Sequence, residues 1–277
     1  MNFVKTQSDL SQVFRNEVVI VEGESTLFDK IKLELEASED WLINEIVGEA
    51  TARELEAATP IFNYCITIAA CDALRRAIPS LDLVLTPNGF GIVQNNNVVP
   101  ASKERVERLI ESCVIRRDFV IERLYKRLSK LDTWQSSKQR NNWASSPLQS
   151  FGLVDSWLKR KEYISNYDAL KAMRKEATPF VAKLAERYIS REVMQRISLA
   201  MCGKGESESD ENDRLTCGRV ANIVVRNLNG YPFLHQLIDP IVNYLRDVDE
   251  DWKASSVAEL YSSPTFQNKK DSPGYFF

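Results

Sequence analysis

The stretch from Thr59 to Ile78 constrains this chain of 277 residues more than any other. Thr59-Pro60 is a strong helix start, because threonine can cap free backbone amides and proline is favoured at the first helical position. Pro79 marks the stop. Between them, Ile61, Phe62, Cys65, Ile66, Ile68, Ala69, Ala70, Cys71, Ala73 and Leu74 place apolar groups on nearly every side. A helix that is apolar all round belongs in the middle of a bundle, so the other segments must supply helices that surround it.

The longest of these is predicted over Lys103 to Leu131. Val106, Leu109, Ile110, Cys113, Val114, Ile121, Leu124, Leu128 and Leu131 recur at helical spacing and form its apolar stripe. Its other face is read as exposed and mixed in sign. Arg116, Arg117, Arg123, Lys126, Arg127 and Lys130 are interleaved with Asp118 and Glu122. Such a face is expected to form ion pairs within the helix or between subunits, or to meet phosphates. Between the two helices, Leu83 and Leu85 alternate with Asp82, Val84 and Thr86, and Pro87-Asn88-Gly89 leads into Phe90-Gly91-Ile92-Val93. Asn-Gly between apolar runs predicts a β-hairpin, inserted over residues 81–99. Upstream, Val18 to Val21 reads as a strand, and Ser25 as the cap of the next helix.

The fold class expected is therefore mainly α: a helical bundle with one inserted β-hairpin, a second helical region and an extended C-terminal tail. The first domain is placed at 1–134. Residues 135–147 lack periodicity and read as a linker. The second domain spans 148–261, with a helix starting at Thr178-Pro179 and a break near Asn229-Gly230. Residues 203–213 hold five acids and no large apolar group, and read as an exposed mobile loop. Residues 262–277 form the tail. The paired Thr-Pro starts suggest an internal duplication; the alternative is that Thr-Pro begins many helices.

Composition and chemistry point away from several functions. The net charge of −3 lacks the basic excess of a pervasive nucleic-acid surface. Five cysteines with no CxxC pair suit a reducing compartment, and the N-terminus lacks a signal-peptide pattern, so synthesis in the cytoplasm is expected. The single histidine, His235, with Asp239 forms an i, i+4 pair, but catalysis needs a convergent third group. Gly203-Lys204-Gly205 lacks the spacing of a phosphate loop, and the acids of 206–213 do not follow the spacing of a calcium loop. Neither an enzyme activity nor a metal or other cofactor is expected. The work is assigned to interaction surfaces: Pro87, Asn88, Gly89 and Phe90 at the hairpin, and Tyr275, Phe276 and Phe277 in the tail. Both regions either suit a partner or fold back onto the bundle.

The run Leu83 to Val93, with Asn95-Asn96-Asn97, Pro100 to Val106 and Leu109-Ile110 after it, resembles an uncharacterised family of phages and prophages of gut Bacteroidetes. Asn268 to Pro273 in the tail resembles it too. In outline, the N-terminal half is similar to the head–tail connector, or adaptor, proteins of tailed phages. That resemblance implies a virion structural protein, made in the host cytoplasm, whose copies form a ring that is typically dodecameric. Its implied partners are further copies of itself, the portal, tail or neck proteins, and packaged DNA passing through the lumen, with no membrane. Other neck or tail-completion roles, or a DNA-packaging accessory, are the alternatives. The chain is longer than a minimal connector, so its second half needs a role of its own.

Overall fold

The computed structural model describes residues 2–15, 26–57, 59–81, 83–86, 89–92, 102–205, 207–233 and 235–262. The chain is mainly helical. It opens with α1 (Gln7–Val13) and α2 (Leu27–Lys30). Each is started by a threonine, Thr6 or Thr26, whose hydroxyl accepts an amide while an aspartate three residues on reaches back. Next comes α3 (Lys32–Leu42), which widens into a π turn over Ile43–Val47. Gly48, at φ 85°, ends that turn and leads into α4 (Glu49–Glu54). A side chain rarely adopts such a backbone, and a Cβ at Gly48 would lie 2.7 Å from Gln139 Oε1.

α5 (Pro60–Ala77) is the central helix its composition requires. The Thr59 hydroxyl accepts the Phe62 amide, and eleven of its residues are buried. Next come β1 (Leu83–Thr86) and β2 (Gly89–Ile92), paired antiparallel with Leu83 opposite Ile92 and Thr86 opposite Gly89. Residues 87–88 and 93–101, which would complete the hairpin expected at 81–99, lie outside the described residues, as do Val18–Val21, Ser25 and the tail from 263. α6 (Lys103–Leu128) is about 40 Å long at 1.5 Å per residue. Its buried residues all lie from Cys113 onward, and in its first ten residues the half-buried Leu109 packs against the core.

The expected linker is instead part of the body. α7 (Asp132–Gln135) and α8 (Lys138–Trp143) occupy most of it, and Trp143 and Ala144 are buried. The reason is anchoring by large side chains that periodicity does not reveal. Trp134 is fully buried and donates to the Ile46 carbonyl at 2.8 Å. Trp143 stacks on Tyr125 with ring centroids 3.8 Å apart. Two 3-10 turns follow, Phe151–Ser156 and Leu158–Glu162.

α9 runs over Asn166–Leu184, started by Ser165, whose hydroxyl accepts the Asp168 amide. Pro179 therefore lies inside a helix and does not begin one. Ser165 opens the helix well upstream, and α9 continues through Pro179 despite the lost amide donor and the crowding of the i−4 carbonyl. A second π turn, Ala185–Ile189, ends at Ser190 (φ 77°) and leads to α10 (Arg191–Met201). α11 (Glu208–Leu228) begins inside the segment read as a mobile acidic loop. Ser207 and Asp210 cap each other's amides, so the acids form a first helical turn whose free amides favour negative charge. α12 (His235–Val248), α13 (Glu250–Lys253) and α14 (Ser256–Glu259) close the described chain. Buried residues from Phe3 to Val257 form a single apolar core that crosses the expected domain boundary.

Candidate interaction surface

α6 divides into an anchored side and an open side. On the anchored side, Arg117 is only 2% exposed. Its guanidinium donates to Asp72 at 2.6 Å, to Asp118 at 3.0 Å and to the Ser165 hydroxyl at 2.8 Å. Asp72 also accepts from Arg75 and Ser38 and pairs with Arg76, and Asp118 accepts the Tyr167 amide. Burial pushes the Asp72 carboxyl up, but Arg75, Arg117 and Arg76 outweigh it and hold it below its ordinary value. Arg117 and Asp118 were expected on a wet face and are instead a buried ionic joint between α3, α5, α6 and α9. Arg116 is half-buried, donates to the Val13 carbonyl at 2.8 Å and covers the Phe14 ring. These two arginines serve the fold rather than a docking partner.

The open side keeps Arg123, Lys126, Arg127 and Lys130 exposed. Arg123 lies over Phe119, Lys126 pairs with Glu122 at 3.6 Å, and Lys130 donates to the Lys204 carbonyl at 2.7 Å. Phe119 is 54% exposed, and Ile115, one turn earlier, 57%. The result is an exposed apolar pair beside a cationic edge with one ion pair, Lys126–Glu122, which suits contact with another protein surface. The helix's apolar stripe hid this feature, because Ile115 and Phe119 lie off that stripe.

At the hairpin, Gly89 and Phe90 stand at β2 positions opposite Thr86 and Leu85. Pro87, Asn88, Tyr275, Phe276 and Phe277 lie outside the described residues. His235 is exposed near the rings of Phe233 and Tyr188. Among the described residues, no group of three or more His, Cys, Asp or Glu residues is placed to hold a metal ion. No described helix is long and apolar enough to cross a membrane.

A cavity of about 580 Å³ opens between α6, the 3-10 turn at 151–156 and the α10–α11 junction. Tyr125, Trp143, Phe151, Met201 and Cys202 line it, with Glu211 and Leu215 at its border. Burial pushes the Tyr125 hydroxyl and the Cys202 thiol up, so both stay neutral near pH 7. That chemistry suits apolar contact rather than nucleophilic attack. At the far end of α11, Asn229 accepts the Leu158 amide at 2.9 Å and donates to the Ser156 carbonyl at 2.7 Å. These bonds fix a corner on which Leu158 and Ile164 are 72% and 63% exposed. Sequence reading missed this corner, although Trp157 to Ile164, with Lys159-Arg160-Lys161 at its middle, is a basic, apolar run without helical spacing.

Residues 21–142 match a family of unknown function, DUF6712, which covers less than half of the chain. The match includes β1, β2 and α6 and ends within α8. No curated protein and no solved structure matches the chain.

Proposed function

We propose that this chain is a virion structural protein, a head–tail connector subunit whose copies form a ring between portal and tail. The resemblance around residues 83–110 is what supports this reading at the level of sequence. The observation that carries the reading is the outer face of α6, a helix of 26 residues that bears exposed Ile115 and Phe119 beside Arg123 and the Lys126–Glu122 pair. A surface of this kind suits neighbouring subunits. The hairpin expected over 81–99 is assigned to the portal or tail partner. The ionic joint at Arg117 keeps α6 rigid against α5 and α9. The basic face that remains exposed is short and largely engaged, which favours subunit contact over a DNA-packaging role. Immunogold labelling of intact particles tests this reading. Label at the neck is expected; label confined to the capsid surface or the tail tip would overturn it.

A further inference from the structure

A second pocket, of about 200 Å³, lies where α6, α8 and α9 meet the π turn of Ile43–Val47. Tyr125, Trp143, Tyr167 and Leu170 supply its apolar walls. Arg174, half-buried, also lines it and forms no ion pair among the described residues. The other two charges in the wall, Glu45 and Lys171, are exposed and pair with each other at 3.1 Å. The pocket therefore keeps the positive charge of Arg174. Burial pulls that guanidinium below its ordinary value, as expected for a cation held out of water with no carboxylate beside it.

The local fold engages one nitrogen of Arg174 and leaves two open. Nη2 donates to the carbonyls of Asn142 at 3.0 Å and Trp143 at 2.7 Å and to the Ser145 hydroxyl at 3.1 Å, which closes the C-terminal end of α8. Nη1 and Nε form no hydrogen bond among the described residues, and neither is sealed inside the fold. The same holds for the hydroxyls of Tyr125 and Tyr167, although these residues are only 8% and 7% exposed. Burial pushes the Tyr167 hydroxyl up to about 12 and the Tyr125 hydroxyl up as well, so both keep their protons and can donate near neutral pH. Both lie near enough to the guanidinium to act on its charge. Four donors thus converge on one small pocket and find no acceptor from the protein, where polar groups this far from bulk water normally have one.

We propose that this pocket binds a small carboxylate with a compact apolar body, held by Arg174 and the two tyrosine hydroxyls. The arginine fork matches a carboxylate, whose two oxygens can take Nη1 and Nε side by side. The aromatic walls and Leu170 cover the apolar body. A cavity of about 150 Å³ holds one benzene ring, so about 200 Å³ suits a ring that carries a carboxylate. The site is separate from the surfaces assigned to subunit contact and does not depend on that assignment.

Isothermal titration calorimetry of the full chain with benzoate tests it. One site per chain is expected, with a dissociation constant on the order of 1 mM. Benzamide has the same shape without the charge and should bind at least about tenfold more weakly. Tyr167→Phe removes one donor at nearly constant volume and should weaken benzoate about tenfold. Arg174→Lys keeps the charge but not the fork and should weaken it at least as much. If circular dichroism shows Arg174→Lys unfolded, Tyr167→Phe and benzamide decide. No saturable heat up to about 10 mM benzoate, equal affinity for benzamide, or wild-type affinity in Tyr167→Phe would overturn the site. Inorganic phosphate that displaces benzoate at equal concentration would overturn the assignment to a carboxylate.

Discussion

Arg117 shows how one residue joins four helices. Buried Asp72 and Asp118 pair with it, the exposed Asp168 lies at the rim, and Arg75 and Arg76 reach Asp72 from the surface. Removing one partner of a buried pair leaves the others uncompensated, which costs about 3–5 kcal/mol. Arg117→Ala is therefore expected to lose that much stability in urea denaturation, whereas Arg123→Ala on the open face should stay within about 0.5 kcal/mol of the wild type. The signal for the joint was present in the sequence. Helical spacing puts Arg117 between Val114 and Ile121 on the apolar stripe, and Asp72 in the middle of an otherwise apolar helix. Two opposite charges on facing apolar stripes are a pair in waiting, but only the fold shows that the stripes face each other. Glu39 offers a test by pH. Burial pushes its carboxyl up to about 7 from an ordinary 4.5, against the pull of the Val4 amide, which donates to it at 2.7 Å. The folded state holds this proton more tightly than the unfolded state. Its contribution is thus full below about pH 4.5 and is lost as pH rises through 7. Thermal melts at pH 5 and pH 8 should show Glu39→Gln removing a dependence on the order of 2–3 kcal/mol, with the variant the more stable at pH 8.

At the scale of elements, the recurring unit is a helix, a π turn, one residue at positive φ, and another helix. Gly48 and Ser190 occupy the equivalent place. The two Thr-Pro sites do not: Pro60 begins α5, while Pro179 sits inside α9. Thr-Pro was a misleading marker because Ser165 supplies a stronger local start upstream. The π turns were illegible because neither has a proline or a charge pattern to announce it. Ser190 bears the strain of its backbone but offsets it by accepting the Val193 amide at 3.2 Å. Ser190→Gly relieves the strain and gives up the cap, so its stability should remain within about 0.5 kcal/mol of the wild type. Ser190→Ala keeps the strain and loses the cap, and should cost about 1–2 kcal/mol. Chemical denaturation of the two variants distinguishes them; equal losses would refute the cap. The acidic run at 207–213 was legible in principle, since Ser-x-x-Asp is a helix start, but the density of charge suggested a loop.

For the whole molecule, the helical class and the central place of α5 follow from hydrophobic period alone. The division into domains did not. Trp134 and Trp143 sit in a polar, aperiodic stretch, yet both are buried and tie the halves into one core. Gln135 donates to the Cys202 carbonyl at 2.8 Å and Gln149 to that of Ser198 at 2.7 Å, adding polar ties across the same junction. Trp143→Ala should cost about 3–5 kcal/mol, and both halves should unfold in a single transition when followed by probes in each. Limited proteolysis should spare residues 135–147. The proposed function makes this continuous body one subunit of a ring. Negative-stain electron microscopy of the purified full chain mixed with its portal tests that claim most directly. The expected result is closed rings of this chain seated coaxially on the portal, and a portal left bare beside monomers would contradict it.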